Sequence, residues 1–233
     1  MSSSGRWGKA KTQLLGDSSD KCAYCETPTS VVAFGDVEHY RPKSKYWWLA
    51  YCYDNYLASC QLCNQKYKKA KFPLKNSSLK SLPTIKRNST DTFLESHKFD
   101  LSPDALDASQ VAWFDAVHQT ERPFIVNPNL DDPAKWFAWE ANDVLRRVRL
   151  VALMGVLNAQ NFITAAEQDL GLNRIELQEL RYTEFEKFRI FKLVLKDPGI
   201  AAATRTAITN AIQNMMADHA SYAGMLRFFD PIL

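Results

Sequence analysis

The chain has 233 residues, 46% hydrophobic and 24% charged, with 5 Cys, 4 His, 10 Pro and only 8 Gly, which excludes a disordered, collagen-like or disulfide-dense protein. No run approaches the ~18 apolar residues of a membrane span, and the N-terminal MSSSGRWGKAKTQLL lacks a signal-peptide apolar stretch, so a cytoplasmic chain with reduced thiols and no membrane partner is expected. The net charge of +3 conceals an asymmetry: residues 1–87 carry 15 Lys and Arg against 6 Asp and Glu, whereas residues 88–233 carry 14 against 20. A basic front suits a polyanion, and two solvated surfaces of unequal charge are the plainer alternative.

In chain order, Val31 to Phe34 and Val37 to Tyr40 are short β-type runs around Gly35, consistent with a bent strand or hairpin. Asn64 to Lys71 holds good helix formers, stopped by Pro73. Residues 76–109 are polar and aperiodic, a linker or long surface excursion between a front unit, 1–75, and a mostly helical region, 110–233. There Asn173 is placed to cap a helix, with Glu176 completing a capping box and Leu172 stapling onto Leu177. Leu180, Phe188, Phe191 and Leu195 continue its apolar face until Asp197-Pro198-Gly199, and Ile200 to Phe229 predicts another long helix.

Cys22-x-x-Cys25 and Cys60-x-x-Cys63 are two CxxC pairs. Two residues between thiolates let a tight turn aim both sulfurs at one tetrahedral ion, and two such turns close an S₄ shell around structural Zn²⁺. A closed shell leaves no position for substrate, and it supplies stability that a unit of ~50 residues can hardly build from a core alone. Cys52 is left over and suits a packed small apolar side chain.

Between the pairs lies Asp36-Val37-Glu38-His39-Tyr40-Arg41-Pro42-Lys43, followed by Asn55, and by Asn64 directly after Cys63. His39 supplies a near-neutral base, the carboxylates supply oxygen ligands for a hard divalent ion, and Arg41, Lys43, Lys66 and Lys68 supply cations for phosphate. These are the parts of a metal-assisted phosphodiester hydrolase. Strand alternation puts Asp36 and Glu38 on one face and His39 on the other, so the strand end must bend to bring Glu38 and His39 to one phosphate.

In these residues the chain resembles the HNH (ββα-metal) endonucleases with a zinc-knuckle frame. The resemblance implies an α+β fold: a small ββα-metal core plus a mostly α-helical C-terminal region. It makes His39 the general base, Asn55 the residue orienting its loop, and Asn64 a ligand of a catalytic Mg²⁺ or similar divalent ion. Glu38 falls where many members carry a metal-binding Asp, with Asp36 in reserve. Asn127-Pro128-Asn129-Leu130-Asp131-Asp132-Pro133, Leu170 to Arg174 and Arg181 further resemble HNH proteins of Septu-type and retron-linked anti-phage systems, where the nuclease partners an ABC-type ATPase. By that resemblance the substrate is nucleic acid, DNA before RNA. Region 110–233 carries no second catalytic constellation and is expected to dock the ATPase, the plainer alternative being that its helices only cover the nuclease core. The alternative is a non-catalytic zinc-knuckle module binding nucleic acid or protein.

Tyr46-Trp47-Trp48 favours packing over base stacking, because no other aromatic row accompanies it. Trp113-Phe114 and Trp136-Phe137-x-Trp139 suit a core or a subunit interface. His97, His118 and His219 have no ligand-like neighbours and are expected at the surface or along helices.

Overall fold

Two four-residue strands centre the front of the chain. β1 (Asp36–His39) runs antiparallel to β2 (Tyr56–Ser59), pairing His39 with Tyr56 and Asp36 with Ser59. The computed structural model describes residues 4–29, 35–75, 85–97 and 107–233, with the backbone alone at 4–9, 110, 113 and 114. The β-type run expected at Val31 to Phe34 lies outside the described residues.

Helix α1 (Ser4–Asp17) precedes the hairpin and buries Leu14 against Tyr56 and Ala58 of β2. After β2 comes α2 (Leu62–Lys68), wound as a π-helix, an arrangement that recurs at functional sites. The Lys69 amide reaches back five residues to the Asn64 carbonyl (2.8 Å), and Lys69 adopts a left-handed φ of 52°, which ends the element. The helix expected over Asn64 to Lys71 is therefore earlier and more widely wound, and it stops well before Pro73. Hairpin and helix form the small ββα core of an α+β fold.

Part of the expected linker is ordered. Thr90 accepts a hydrogen bond from the Phe93 amide and caps the short α3 (Asp91–Ser96). The remainder of that stretch up to residue 106 falls largely outside the described residues. Helix α4 (Ala108–Glu121) follows and ends on Arg122 in the left-handed region.

The region beyond it is not helical throughout. β3 (Phe137–Asn142) and β4 (Arg147–Ala152) pair as an antiparallel hairpin, with Val148 and Leu150 buried and Arg149 exposed between them. Helices α5 (Ala159–Gln168) and α6 (Ile175–Leu195) cover this hairpin. Asn173 does not cap α6: its side chain bonds both main-chain groups of Leu150 (2.9 and 2.8 Å), extending the edge of β4. Leu172 and Leu177 are buried as expected, but Leu180 is 51% exposed, so the apolar face is narrower than its spacing implied. The single helix expected from Ile200 to Phe229 is broken into α7 (Ala202–Met216) and α8 (Ala223–Phe229). Cations hold the carbonyls freed at the break: Lys21 binds those of Asp218 and Ala220, and Arg227 that of Met216 (2.7 Å).

One hydrophobic cluster runs across both halves, joining Tyr40, Phe72 and the frame cysteines to Ile125, Phe185 and Leu226. Among the described residues no helix is long and apolar enough to cross a membrane.

Candidate functional site

The cysteine frame is assembled from two turns. Cys22 and Cys25 lie in a turn closed by the Glu26 amide on the Cys22 carbonyl (2.9 Å), with Glu26 at a φ of 59°. Cys60 and Cys63 join β2 to α2, where the Cys63 amide donates to the Cys60 sulfur (3.4 Å). No disulfide forms, and the four Sγ atoms all lie within 4.8 Å of one another, Cys25 and Cys60 being 3.9 Å apart. Tetrahedral Zn–S bonds of ~2.3 Å require S···S edges of about 3.8 Å, so the donor set fits Zn²⁺. Hydrogen bonding with Cys22 holds the Cys25 thiol well below its usual range and lowers Cys60 to about 7. Burial pushes Cys22 up and contact with Cys22 pushes Cys63 up. Four crowded sulfurs cannot all ionise without a cation between them.

The C-terminal region supplies positive charge to this frame. Arg174 donates to the Cys63 sulfur (3.7 Å) and to the Gly171 carbonyl (3.1 Å). Arg181 is buried, bonds the Leu172 carbonyl (2.6 Å) and lies over the Trp139 ring at 4.7 Å. Gly171 sits at a φ of +62°, and a Cβ there would come within 2.5 Å of the Tyr67 ring of α2. The stretch Leu170 to Arg174 thus closes directly onto the zinc frame. Trp136 stacks on Phe162 (4.2 Å) and Phe137 is buried, so this aromatic group belongs to the core. The side chains of Trp113 and Phe114 lie outside the described residues.

His39 ends β1 half-buried, with its ring edge-to-face on Tyr56 (5.1 Å) and its Nε2 3.0 Å from the Ala50 carbonyl. A carbonyl only accepts, so Nε2 carries the proton and the lone pair of the neutral ring resides on Nδ1. Burial lowers the imidazole below its ordinary value against the opposing pull of Ala50, and Lys43 and Lys68 lower it further. Asn55, fully buried, governs the loop of residues 40–55. Its Oδ1 accepts from the Arg41 amide (2.8 Å), and its Nδ2 donates to the carbonyls of Arg41 (3.0 Å) and Leu49 (3.3 Å).

Helix α2 lies across β1. Asn64 donates to Asp36 (3.3 Å), which also accepts from Gln65 (2.8 Å). The carboxylate in contact with Asn64 is therefore Asp36, while Glu38 is buried in an ion pair with Lys68. Asp36 and Asn64 together offer hard oxygen donors of the kind that suit Mg²⁺.

Two of the four cations expected to hold phosphate lie inside the protein. Lys68 is sealed against Glu38, and Arg41 is buried in an ion pair with Glu121 (2.9 Å), because each guards a charge that water cannot reach. Lys43 and Lys66 are exposed. Tyr46 is buried with Trp48 packed behind it, and Trp47 is 51% exposed. His219 is exposed, and His118 lies on α4, where it is buried against Asp131 (3.1 Å). Glu121, in contact with the 40–55 loop, and Ala50, within it, carry no local motif. Their roles arise only from the folded approach of α4 and from a main-chain carbonyl.

No protein-family model and no solved structure matches the chain. It is 39% identical over 71 residues to the Septu protein PtuB of Bacillus mycoides (strain KBAB4). That match covers 25% of this chain and 24% of the relative, so it spans about a quarter of the relative's length.

Proposed function

We propose that the chain is a metal-dependent endonuclease of the HNH type, hydrolysing nucleic-acid phosphodiester bonds with DNA as the first substrate to test, and that it acts in anti-phage defence with an ABC-type ATPase partner. The observation that carries the reading is the fixed tautomer of His39. A ring held by Nε2–H on Ala50 presents Nδ1 as a base, on the strand whose Asp36 carboxylate accepts from Asn64 of α2. In this scheme His39 takes a proton from the attacking water, Asn55 keeps the loop in register, and exposed Lys43 and Lys66 hold the backbone. Asn64, with Asp36 or Glu38, would hold the divalent ion; bound there, it would stabilise charge developing on the phosphate and the leaving oxygen. Glu38 becomes a ligand only if Lys68 withdraws. The similarity to a Septu protein supports the defence role, and the ATPase partner follows from the resemblance of the motifs.

The test is cleavage of plasmid, single-stranded DNA and tRNA in Mg²⁺ by wild type and His39→Ala, with and without the co-expressed ATPase. Cleavage lost in His39→Ala with retained nucleic-acid binding is expected. Equal cleavage by the two proteins would place the base elsewhere, and no cleavage by wild type in any arm leaves the non-catalytic zinc-knuckle module as the function.

A further inference from the structure

Glu121, the last residue of α4, is far from β1 and α2 in sequence, yet its carboxylate grips the His39 loop at two points. One oxygen accepts from Arg41 Nε (2.9 Å) and the other from the Tyr46 hydroxyl (3.0 Å), all three residues being buried. Arg41 stands two residues after His39, and its main-chain amide and carbonyl are both held by Asn55. Tyr46 begins the 3₁₀ turn Trp47–Leu49, whose hydrogen bonds run from Leu49 to the Tyr46 carbonyl (3.0 Å) and from Ala50 to the Trp47 carbonyl (3.2 Å). Ala50 is the residue whose carbonyl holds the imidazole. The two oxygens of Glu121 therefore bridge the histidine end of the loop and the end that fixes its tautomer.

The same residue is tied to the other side of the site. Just past Glu121, Phe124 donates to the Pro73 carbonyl (2.9 Å) and Leu74 bridges Pro123, joining the chain that leaves α2 and its Asn64. Stability alone does not account for such a pair, since a buried ion pair can often be exchanged for apolar residues of equal volume without loss. Direction accounts for it: a carboxylate with two fixed donors sets a distance that packing sets less sharply.

We propose that Glu121, acting through Arg41 and Tyr46, is the positioning residue that sets the His39 ring against Ala50 and relative to α2. The role of that ring as a base rests on the endonuclease reading; its placement does not. The experiment uses the full chain as wild type, Glu121→Gln and the milder Tyr46→Phe. Single-turnover cleavage, KM, zinc content and the ¹H–¹³C resonances of the His39 ring are measured. Misplacement of a catalytic group by about 1 Å costs up to ~10²-fold in rate. Glu121→Gln is accordingly expected to lose at least ~10-fold in rate with KM and zinc within about twofold of wild type and with the His39 resonances shifted. Tyr46→Phe is expected to shift the same resonances with a smaller loss. Wild-type His39 resonances in both variants overturn the proposal, as does a rate loss matched by an equal loss of folded protein. If wild type cleaves nothing, the endonuclease reading fails, and the resonances still decide whether Glu121 places the ring.

Discussion

Lys68 lies against the carboxylate of Glu38 with both side chains closed to solvent, and the same ammonium donates to the main-chain carbonyl of His39 (3.0 Å). The pair thus braces the base-bearing strand from the helix below it. Breaking a buried pair by removing one partner costs ~3–5 kcal/mol, because the other charge stays behind uncompensated. Lys68→Met should lower unfolding stability by about that amount, and adding Glu38→Leu should recover most of it. Urea unfolding of the two variants checks this; an unaffected Lys68→Met would show that Glu38 reaches water or another cation.

The same geometry separates the two candidate carboxylates. Asp36→Asn and Glu38→Gln are compared for the Mg²⁺ concentration that half-saturates cleavage. With Glu38 engaged by Lys68 and Asp36 touching Asn64, Asp36→Asn and Asn64→Ala should raise that concentration, and Glu38→Gln should change it less. The reverse ranking would mean that metal binding draws Glu38 away from Lys68.

His39 gives the site a pH signature. Its folded pKa is lowered, chiefly by burial, beneath the ordinary imidazole value of ~6.5. A group depressed on folding contributes stability above its unfolded pKa and loses that contribution as pH falls through the folded value. Wild type should therefore lose more stability than His39→Ala between pH 7.5 and a pH below the ordinary imidazole range. The acid limb of kcat/KM should lie below that range as well. A limb above ~6.5 would place the base elsewhere or show the imidazolium to be stabilised.

Metal removal is expected to reach the C-terminal helices that close onto the frame. Arg174 donates to the Cys63 sulfur, and the negative charge of Cys25 acts on buried Arg181; a closed ZnS₄ shell held by the four cysteines would carry the negative charge that offsets them. Chelation, or Cys60→Ser, should lower Tm and also raise hydrogen exchange in α6, since Arg181 is left buried without that charge. Zinc at one equivalent per chain in the purified protein is the premise. Exchange changes confined to residues 20–30 and 58–66 would contradict the coupling.

The cysteine frame was legible because thiol spacing is a local fact, and the fold brings the four sulfurs together through turns that need few distant partners; Asn55 stood out only through the resemblance of its motif. The β3–β4 hairpin carried a signal that helical content hid: Arg147-Val148-Arg149-Leu150 alternates with period two after the turn residues Asn142 and Asp143. The break between α7 and α8 had no such mark, since Lys21, some two hundred residues earlier, holds its carbonyls. The burial of Arg41 and Lys68 was equally hidden. A basic motif reads as a phosphate grip until Glu121 and Glu38 are seen beside it.

The shared core bears on how the helical region is tested as a docking surface. Residues 1–75 do not close on themselves: Tyr40 donates to the Ile125 carbonyl (2.6 Å), Arg41 pairs with Glu121, and Tyr67 packs on Gly171. A 1–109 fragment would leave a buried guanidinium without its carboxylate and expose the apolar surface under Phe72 and Tyr40. It is expected to be aggregated or molten, seen as lost near-UV circular dichroism, so its failure to bind an ATPase would say nothing about docking. The informative variants leave the core intact: Val144→Asp with Leu145→Asp on the β3–β4 turn, and Met154→Asp with Leu157→Asp after β4. All four side chains are more than half exposed. If the region docks the ATPase, one of these pairs should weaken co-purification about tenfold or more, the scale of a hot-spot residue, with Tm and zinc content unchanged. Undiminished co-purification of both pairs would place the interface on another face of the molecule.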